Sequence, residues 1–209
     1  MRKIGKYKLP LLVHAELRDN YIEPNVLQTK PIGKSYSRFL ASRPKRWENN
    51  AIKLLIALAS SNNDKGIFTK LHIVHLSSAD ALSLIKEGKD KGLCISAETC
   101  PHYLHLFSEA IPDGNCIFKC CPPIRDSENR EHLWNGLAEG TIDFIVSDHS
   151  PSPPELKQLE SGDLDEIKSS DFIKEVSSTF EFLELFLAKD IWTLNERLLN
   201  GKMGLGAYE

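Results

Sequence analysis

Ile73-Val74-His75-Leu76-Ser77-Ser78 is an apolar run that ends at a side chain able to bind a metal, and the pattern occurs twice more. Leu12-Val13-His14-Ala15-Glu16 precedes it, and Ile145-Val146-Ser147-Asp148-His149-Ser150-Pro151 follows it. The carboxyl ends of parallel strands meet at one edge of a sheet or barrel, where such folds gather reactive side chains. Imidazole and carboxylate groups are typical ligands of zinc and related metals. The three segments therefore predict a parallel α/β enzyme with a metal site at the strand ends.

Each candidate ligand, taken alone, also has an ordinary explanation. A histidine at a strand end, such as His14 or His75, is often a hydrogen-bonded structural residue. Asp148 lies in a Ser-Asp-His-Ser-Pro stretch, where a short acid can simply cap a turn. The shared position at the ends of successive strands favours the metal-site interpretation for all three. The sequence contains no His-x-His pair, and no lysine lies in the strand-like stretch before His14, so a two-metal site is incomplete.

The composition is that of one globular core. The chain has 209 residues, is 41% hydrophobic and carries a net charge of -3. Mixed charges provide neither a basic face for nucleic acid nor a polybasic anchor for a membrane, so we expect neither of those partners. A homo-oligomer is compatible with this composition. No stretch is apolar enough to cross a bilayer and the start lacks an apolar signal core, so a cytoplasmic location is the default expectation.

Cysteine usage points to reduced thiols. The five cysteines are an odd number, two of them are adjacent, and none forms a Cys-x-x-Cys motif. This argues against a secreted disulfide framework and against a structural zinc site.

Strand-like and helix-like patterns alternate along the first 162 residues. Short apolar runs predict strands at 9–15, 71–76, 93–97 and 142–146. Helical spacing predicts helices from Pro44 to about residue 59, from Ser77 to Glu87, and over 127–137. This order predicts a mostly parallel sheet. Against the roughly 31-residue unit of an eight-unit barrel, the 61 residues from His14 to His75 are one unit enlarged by its loop, and the 73 residues from His75 to Asp148 hold two units. We therefore expect a partial (β/α)8 TIM barrel with about four parallel strands.

Several local features refine these elements. Residues 18–36 have no periodicity and predict a long loop of the kind that lines sites. Ser77 and Asp80 have the spacing of a capping box, and Gly88 is the expected stop of the second helix. The apolar face of the first helix is expected to consist of Trp47, Ala51, Leu54, Leu55 and Leu58. Residues 163–209 have apolar positions three and four apart and predict a divergent helical C-terminal segment, separate from the partial barrel of residues 1–162.

Other polar residues have weaker signals. His72 lies three residues before His75, so strand alternation directs it to the opposite face as a packed or solvated histidine. His102 follows the third strand and could line the mouth of the site, although a turn histidine after proline fits equally. A nucleophilic Cys100 and His102 pair has little support, because a separation of two residues does not indicate pairing. The prolines of the 119–126 loop make it rigid, which suits substrate contact or a plain surface turn.

Five segments together closely resemble, in order, the second half of the allantoinase family. They are Val13-His14-Ala15-Glu16, Val74-His75-Leu76-Ser77-Ser78, Glu98-Thr99-Cys100-Pro101-His102-Tyr103, Lys119-Cys120-Cys121-Pro122-Pro123-Ile124-Arg125-Asp126 and Ser147-Asp148-His149-Ser150-Pro151. That family belongs with dihydroorotases and hydantoinases among the metal-dependent cyclic amide hydrolases. The resemblance covers roughly residues 7 to 162.

The resemblance implies a (β/α)8 barrel holding two metals, usually zinc, bridged by a carboxylated lysine and a hydroxide. It implies that His14 and His75 bind one metal, and that Asp148 binds the other and transfers a proton. The substrate-binding positions that it suggests are His102, Cys120 and Ser150. The implied reaction is the opening of the hydantoin ring of allantoin to allantoate, a step of purine catabolism.

The departures from the family shape the functional expectation. The His-x-His pair and the bridging lysine of the family are absent from this sequence, which leaves at most one partial zinc site. We therefore expect an allantoinase-type chain that is truncated and inactive alone. The alternatives are a dihydroorotase- or hydantoinase-type cyclic amidohydrolase, and a non-catalytic family remnant that acts only as an interaction module.

Overall fold

A parallel four-stranded sheet forms the centre of the structure, a computed structural model that describes residues 1–18, 32–148 and 159–164. Its strands are β1 (Pro10–Val13), β2 (Lys70–Ile73), β3 (Ile95–Thr99) and β4 (Phe144–Ile145), adjacent in chain order. The helices are α1 (Arg2–Lys6), α2 (Tyr36–Ser42), α3 (Lys45–Asn63), α4 (Leu82–Asp90), α5 (Pro101–His105) and α6 (Ser127–Ala138). The predicted α/β architecture with four parallel strands is confirmed.

One face of the sheet carries the apolar core. Leu71 and Ile73 of β2 and Ile95 and Ala97 of β3 are buried on this face beneath the helices. The opposite face, here called the open face, contains the residues that alternation places on the other side: Leu12, His72, Ser96, Glu98 and Phe144. Within the open face, the Leu12 side chain is 60% exposed. The sheet therefore has a packed side and a side on which Leu12 and Phe144 are exposed.

Helix α3 begins after Pro44 as predicted, but the predicted apolar face is wrong in part. Ala51 is buried, whereas Leu54 and Leu58 are exposed. The face that packs on the core instead carries Glu48 and Asn62 together with apolar residues, because each of these two polar side chains has a buried hydrogen-bond partner. A prediction from hydrophobicity alone therefore places the buried face of α3 at the wrong rotation about the helix axis.

Two predicted helix signals are also wrong. Ser77 does not cap a helix, because its hydroxyl donates to the carbonyl of Pro123 at 2.7 Å, and α4 begins five residues later after a short 3₁₀ turn. Gly88 does not end α4, which continues to Asp90. A Cβ on Gly88 would stand 2.6 Å from Cδ1 of Ile95, so glycine allows the helix to approach β3 closely.

Helix α2 is a short element that the sequence pattern did not predict. It begins at Tyr36, where the 18–36 loop was expected to end, and Ser35 caps it by accepting from the Arg38 amide. The remainder of that loop, the stretch from 149 to 158 and the helical segment predicted after residue 164 lie outside the described residues. The proposed division at residue 162 stays a prediction. Among the described residues, no helix is both long and apolar enough to span a membrane.

Candidate functional site

The two predicted histidine ligands meet at the carboxyl edge of the sheet. His14 directly follows β1, and His75 lies two residues after β2. Nδ1 of His14 is 3.0 Å from Nε2 of His75, and the two rings are inclined at 67°. Two nitrogens bound to one tetrahedral zinc ion at its usual bond length stand about 3.3 Å apart. The pair therefore fits two neighbouring ligands of one metal ion.

Glu16 orients the first of these rings. Its Oε2 lies 3.0 Å from Nε2 of His14 and accepts from Nη1 of Arg43 at 2.7 Å. Burial raises the pKa of Glu16, but the hydrogen bond with His14 and the Arg43 charge outweigh it and leave the pKa below its ordinary value. Because an ionised carboxylate only accepts, Nε2 of His14 donates, and in the neutral ring the Nδ1 lone pair then faces His75. A carboxylate behind a histidine in this way is a common feature of metal sites.

Two of the three predicted ligands have an unusual backbone. The φ angles of His75 and Asp148 are 41° and 49°, in the left-handed region that residues other than glycine rarely adopt. Lys8 is the remaining non-glycine residue with positive φ in the described part of the chain. Such strain persists where surrounding contacts hold it, and it concentrates at functional sites. The backbone thus marks the same two strand ends that the sequence pattern selected.

Glu48 holds the loop after His75, and the sequence interpretation missed it. Its two carboxylate oxygens accept from the amides of Ser77 and Ser78, both at 2.8 Å. The carboxyl group is fully buried. Burial raises its pKa to about 7, against the lowering effects of the Arg125 charge and of these two N–H groups. The sequence did contain a signal for a buried acid. Glu48 lies three residues before Ala51 and four before Ile52, on the same apolar stripe of the helix.

The predicted proline loop is an internal element, so the surface-turn alternative is wrong. Ile124 and Arg125 are buried. The carbonyl of Pro122 accepts from the Tyr103 hydroxyl at 2.7 Å, and Nη1 of Arg125 donates to the carbonyl of Arg43 at 2.6 Å. Because the hydroxyl of Ser77 also donates to this loop, the loop is fixed directly against the segment that follows His75.

Two of the predicted substrate-binding residues, His102 and Cys120, lie near the contact between Tyr103 and the Pro122 carbonyl. His102 lies in α5 with its ring centroid 4.1 Å from that of Tyr103, and the thiol of Cys120 donates to the carbonyl of Pro122 at 3.3 Å. Ser150 lies outside the described residues. His72 is a packed histidine as predicted, because its ring nitrogens contact the Ser96 hydroxyl at 2.7 Å and the Glu98 carboxylate at 2.9 Å. The substrate roles stay predictions.

The structure brings together two of the three predicted ligands, His14 and His75, and the metal site itself stays a prediction. Asp148 lies beyond the end of β4. Over residues 1–18, 32–148 and 159–164, no group of three or more His, Cys, Asp or Glu side chains is arranged to hold a metal ion. Asp148 is therefore not joined with His14 and His75 in one ligand set among the described residues, and its metal role stays a prediction.

Comparisons with known proteins identify close relatives. No protein-family model matches the chain. The allantoinase of Arabidopsis thaliana is 50% identical over 163 residues, which cover 76% of this chain and 32% of that protein. The allantoinase of Saccharomyces cerevisiae is 45% identical over 153 residues, or 73% of this chain and 32% of that protein. Among solved structures, the L-hydantoinase of Arthrobacter aurescens superposes with a TM-score of 0.68 at 29% identity, covering 79% of this chain and 36% of its own.

These similarities agree with the geometry of the sheet and of the histidine pair. The chain spans about a third of the length of the curated relatives that it matches. Identities of 45–50% over three quarters of the chain extend well beyond the five motifs that first carried the resemblance. Over about three quarters of its length, the chain is therefore a homologue of the allantoinases.

Proposed function

We propose that this chain supplies one part of the active site of an allantoinase-type hydrolase, which opens the hydantoin ring of allantoin to allantoate. The observation that carries the proposal is the contact between the ring nitrogens of His14 and His75 at the carboxyl ends of β1 and β2. Relatives named allantoinase share close to half of the matched residues, and their printed name supports allantoin as the substrate. The complete reaction requires groups that these residues do not provide.

The proposed ligand atoms follow from the hydrogen bonds. His14 would bind zinc through Nδ1, because Glu16 occupies its other nitrogen, and His75 would bind the same ion through Nε2. A bound divalent metal lowers the pKa of water and polarises a carbonyl, which is the chemistry that hydrolysis of a stable ring amide needs.

Asp148 has a different proposed role. It would help to hold a second ion, take a proton from the attacking water and deliver that proton to the departing ring nitrogen. Its strained backbone at the end of β4 supports a functional position. His102, Cys120 and Ser150 are the proposed substrate contacts.

A hydantoinase-type activity is the second candidate. The similarity to L-hydantoinase at a TM-score of 0.68 favours it, since that enzyme is named for the same ring type. The higher identity to allantoinases favours allantoin. Parallel assays with allantoin, hydantoin and dihydroorotate separate the three cyclic amides.

The test completes the site by fusion. The segment of the Arabidopsis relative that precedes the matched region is joined ahead of this chain, and allantoin ring opening is assayed with added zinc. We expect activity that His14→Ala, His75→Ala and Asp148→Asn each reduce. Excess zinc should restore the histidine variants better than Asp148→Asn, because only the latter also lacks the proton carrier. A soluble, zinc-loaded fusion that opens no cyclic amide would support the non-catalytic interaction module instead.

A further inference from the structure

Four charged side chains connect the loop after β1 with the loop after β2. Glu16 accepts from Nη1 of Arg43 at 2.7 Å, and the carbonyl of Arg43 accepts from Nη1 of Arg125 at 2.6 Å. Nη2 of Arg125 in turn lies 4.0 Å from Oε2 of Glu48. All four side chains are at most 10% exposed. We call Glu16, Arg43, Arg125 and Glu48 the buried charge chain.

Both ends of the buried charge chain act on the histidine pair. At one end, Glu16 contacts Nε2 of His14 at 3.0 Å. At the other end, Glu48 accepts the two backbone amides that begin two residues after His75. The backbone from Ser77 to His75 continues this connection, and the two histidines contact each other. Together these links close into a ring that includes both imidazoles.

We propose that the buried charge chain positions the two imidazoles as a pair, with Glu16 as the positioning residue for His14 and Glu48 for His75. The part of this inference that concerns metal affinity rests on the proposed function. When Glu48 is ionised, two acids face two arginines and balance in charge, as buried ions require. A balanced set of buried ions has no general stability advantage over apolar side chains of similar volume, so a specific arrangement is what it can provide. Here that arrangement includes the strained backbone of His75.

The test separates positioning from plain stabilisation. The readouts are the ¹⁵N chemical shifts of the histidine rings, measured by solid-state NMR on ¹⁵N-histidine-labelled chain, and the dissociation constant for Zn²⁺. Ring shifts report tautomer and hydrogen bonding, and the method does not require a monomer. The spectra of His14→Ala and His75→Ala assign the two rings of interest.

The main variant is Glu48→Gln, which keeps the side-chain shape but leaves one oxygen for two backbone donors. We expect altered ring shifts for His75 and about a 10- to 100-fold weaker Zn²⁺ affinity, the usual effect of losing a group that orients a ligand. The matched control is Asn62→Leu, which removes a buried side-chain hydrogen bond to Thr69 from the same helix. It should leave the ring shifts and the Zn²⁺ affinity unchanged even if it lowers stability.

A double variant, Glu48→Gln with Arg125→Met, restores charge balance without restoring the acceptor. We expect it to recover stability relative to Glu48→Gln alone, but not to recover the His75 shifts or the Zn²⁺ affinity. Recovery of both would overturn the positioning role and leave only stabilisation.

Glu16→Gln tests the same proposal at the other end of the buried charge chain. We expect a changed tautomer signature for His14 and weaker Zn²⁺ binding. Wild-type ring shifts in both Glu48→Gln and Glu16→Gln would overturn the proposal. If the unmodified chain binds no Zn²⁺ at all, the metal assignment of the proposed function fails, while the ring shifts still decide the positioning role.

Discussion

Nδ1 of His14 and Nε2 of His75 are 3.0 Å apart, although 61 residues separate them in the chain. The contact arises because β1 and β2 are adjacent parallel strands, with Val13 opposite Ile73. The backbone therefore leaves both strands at the same edge of the sheet. Glu16 behind one ring and the Glu48-bound loop behind the other then fix the direction in which each ring points. The contact between His14 and His75 therefore follows from the strand topology and from Glu16 and Glu48, which are not proposed as metal ligands.

The first prediction is that the 209-residue chain alone does not turn over allantoin at an enzymatic rate. Under the proposed function it supplies two ligands for one metal and Asp148 for another, which does not complete a two-metal site. Allantoate formation by the purified, zinc-loaded chain is the measurement, with the fusion protein as the positive control. A turnover near the typical enzyme rate of about 10 per second would contradict this account.

The second prediction is that the chain is oligomeric or poorly soluble in isolation. β1 and β4 are the edges of the described sheet, and Leu12 on the open face is 60% exposed. Exposed edges and apolar faces promote association between chains. Leu12→Lys should shift the population toward monomer in sedimentation, whereas Leu58→Lys on the outer side of α3 should not. A sharp unfolding transition of a monomeric wild-type chain would show that the open face needs no cover.

The third prediction concerns pH and Glu48. Its pKa rises from 4.5 to about 7 on folding, so between these values the folded state holds a proton that the unfolded state lacks. Stability therefore falls as pH rises from about 4.5 to about 7 and is unaffected by this group outside that window, a change on the order of 3 kcal/mol. Urea unfolding of wild type and Glu48→Gln at a fixed chain concentration measures it. A difference between the two proteins that does not vary with pH would contradict the assignment.

The fourth prediction concerns the start of α6. Asp126 caps this helix by accepting from the Asn129 amide at 2.8 Å, and it also lies 3.4 Å from Nζ of Lys45. Asp126→Ala should destabilise the fold by about 1 kcal/mol, the usual effect of losing an N-cap. Asp80→Ala is the control, because Asp80 contacts the same lysine at 3.5 Å but caps no helix. Equal losses of unfolding free energy in the two variants would assign the effect to the ion pair.

The sequence was most informative where apolar runs end. Strands of a parallel sheet are buried and bounded by polar residues, so β1 and β2 could be located and both histidines assigned to their ends. The open sheet order also follows from alternation of strands and helices. Helix α2 could not be predicted, because a seven-residue helix with only Tyr36 and Phe39 buried shows too little periodicity.

The charged residues around the site were missed for a different reason. Glu48 and Arg125 are of types that are almost never fully buried unless paired, so composition argues for exposure. Their partners lie far away in sequence, and pairing depends on how α3 and the proline loop pack together. Long-range contacts of this kind are absent from local patterns, which is why the orienting contacts became visible only in the structure.

The fifth prediction tests the central claim, that His14 and His75 are two ligands of one metal. The measurement is a Zn²⁺ titration of the 209-residue chain, followed by competition with a chromophoric chelator, for wild type, His14→Ala, His75→Ala and His72→Ala. His72 is a control because it is buried like His75 but bonds Ser96 and Glu98 on the open face. The account predicts that His14→Ala and His75→Ala each weaken Zn²⁺ binding by at least about 10-fold, while His72→Ala retains the wild-type affinity. Unchanged affinity in His14→Ala and His75→Ala would contradict the metal site.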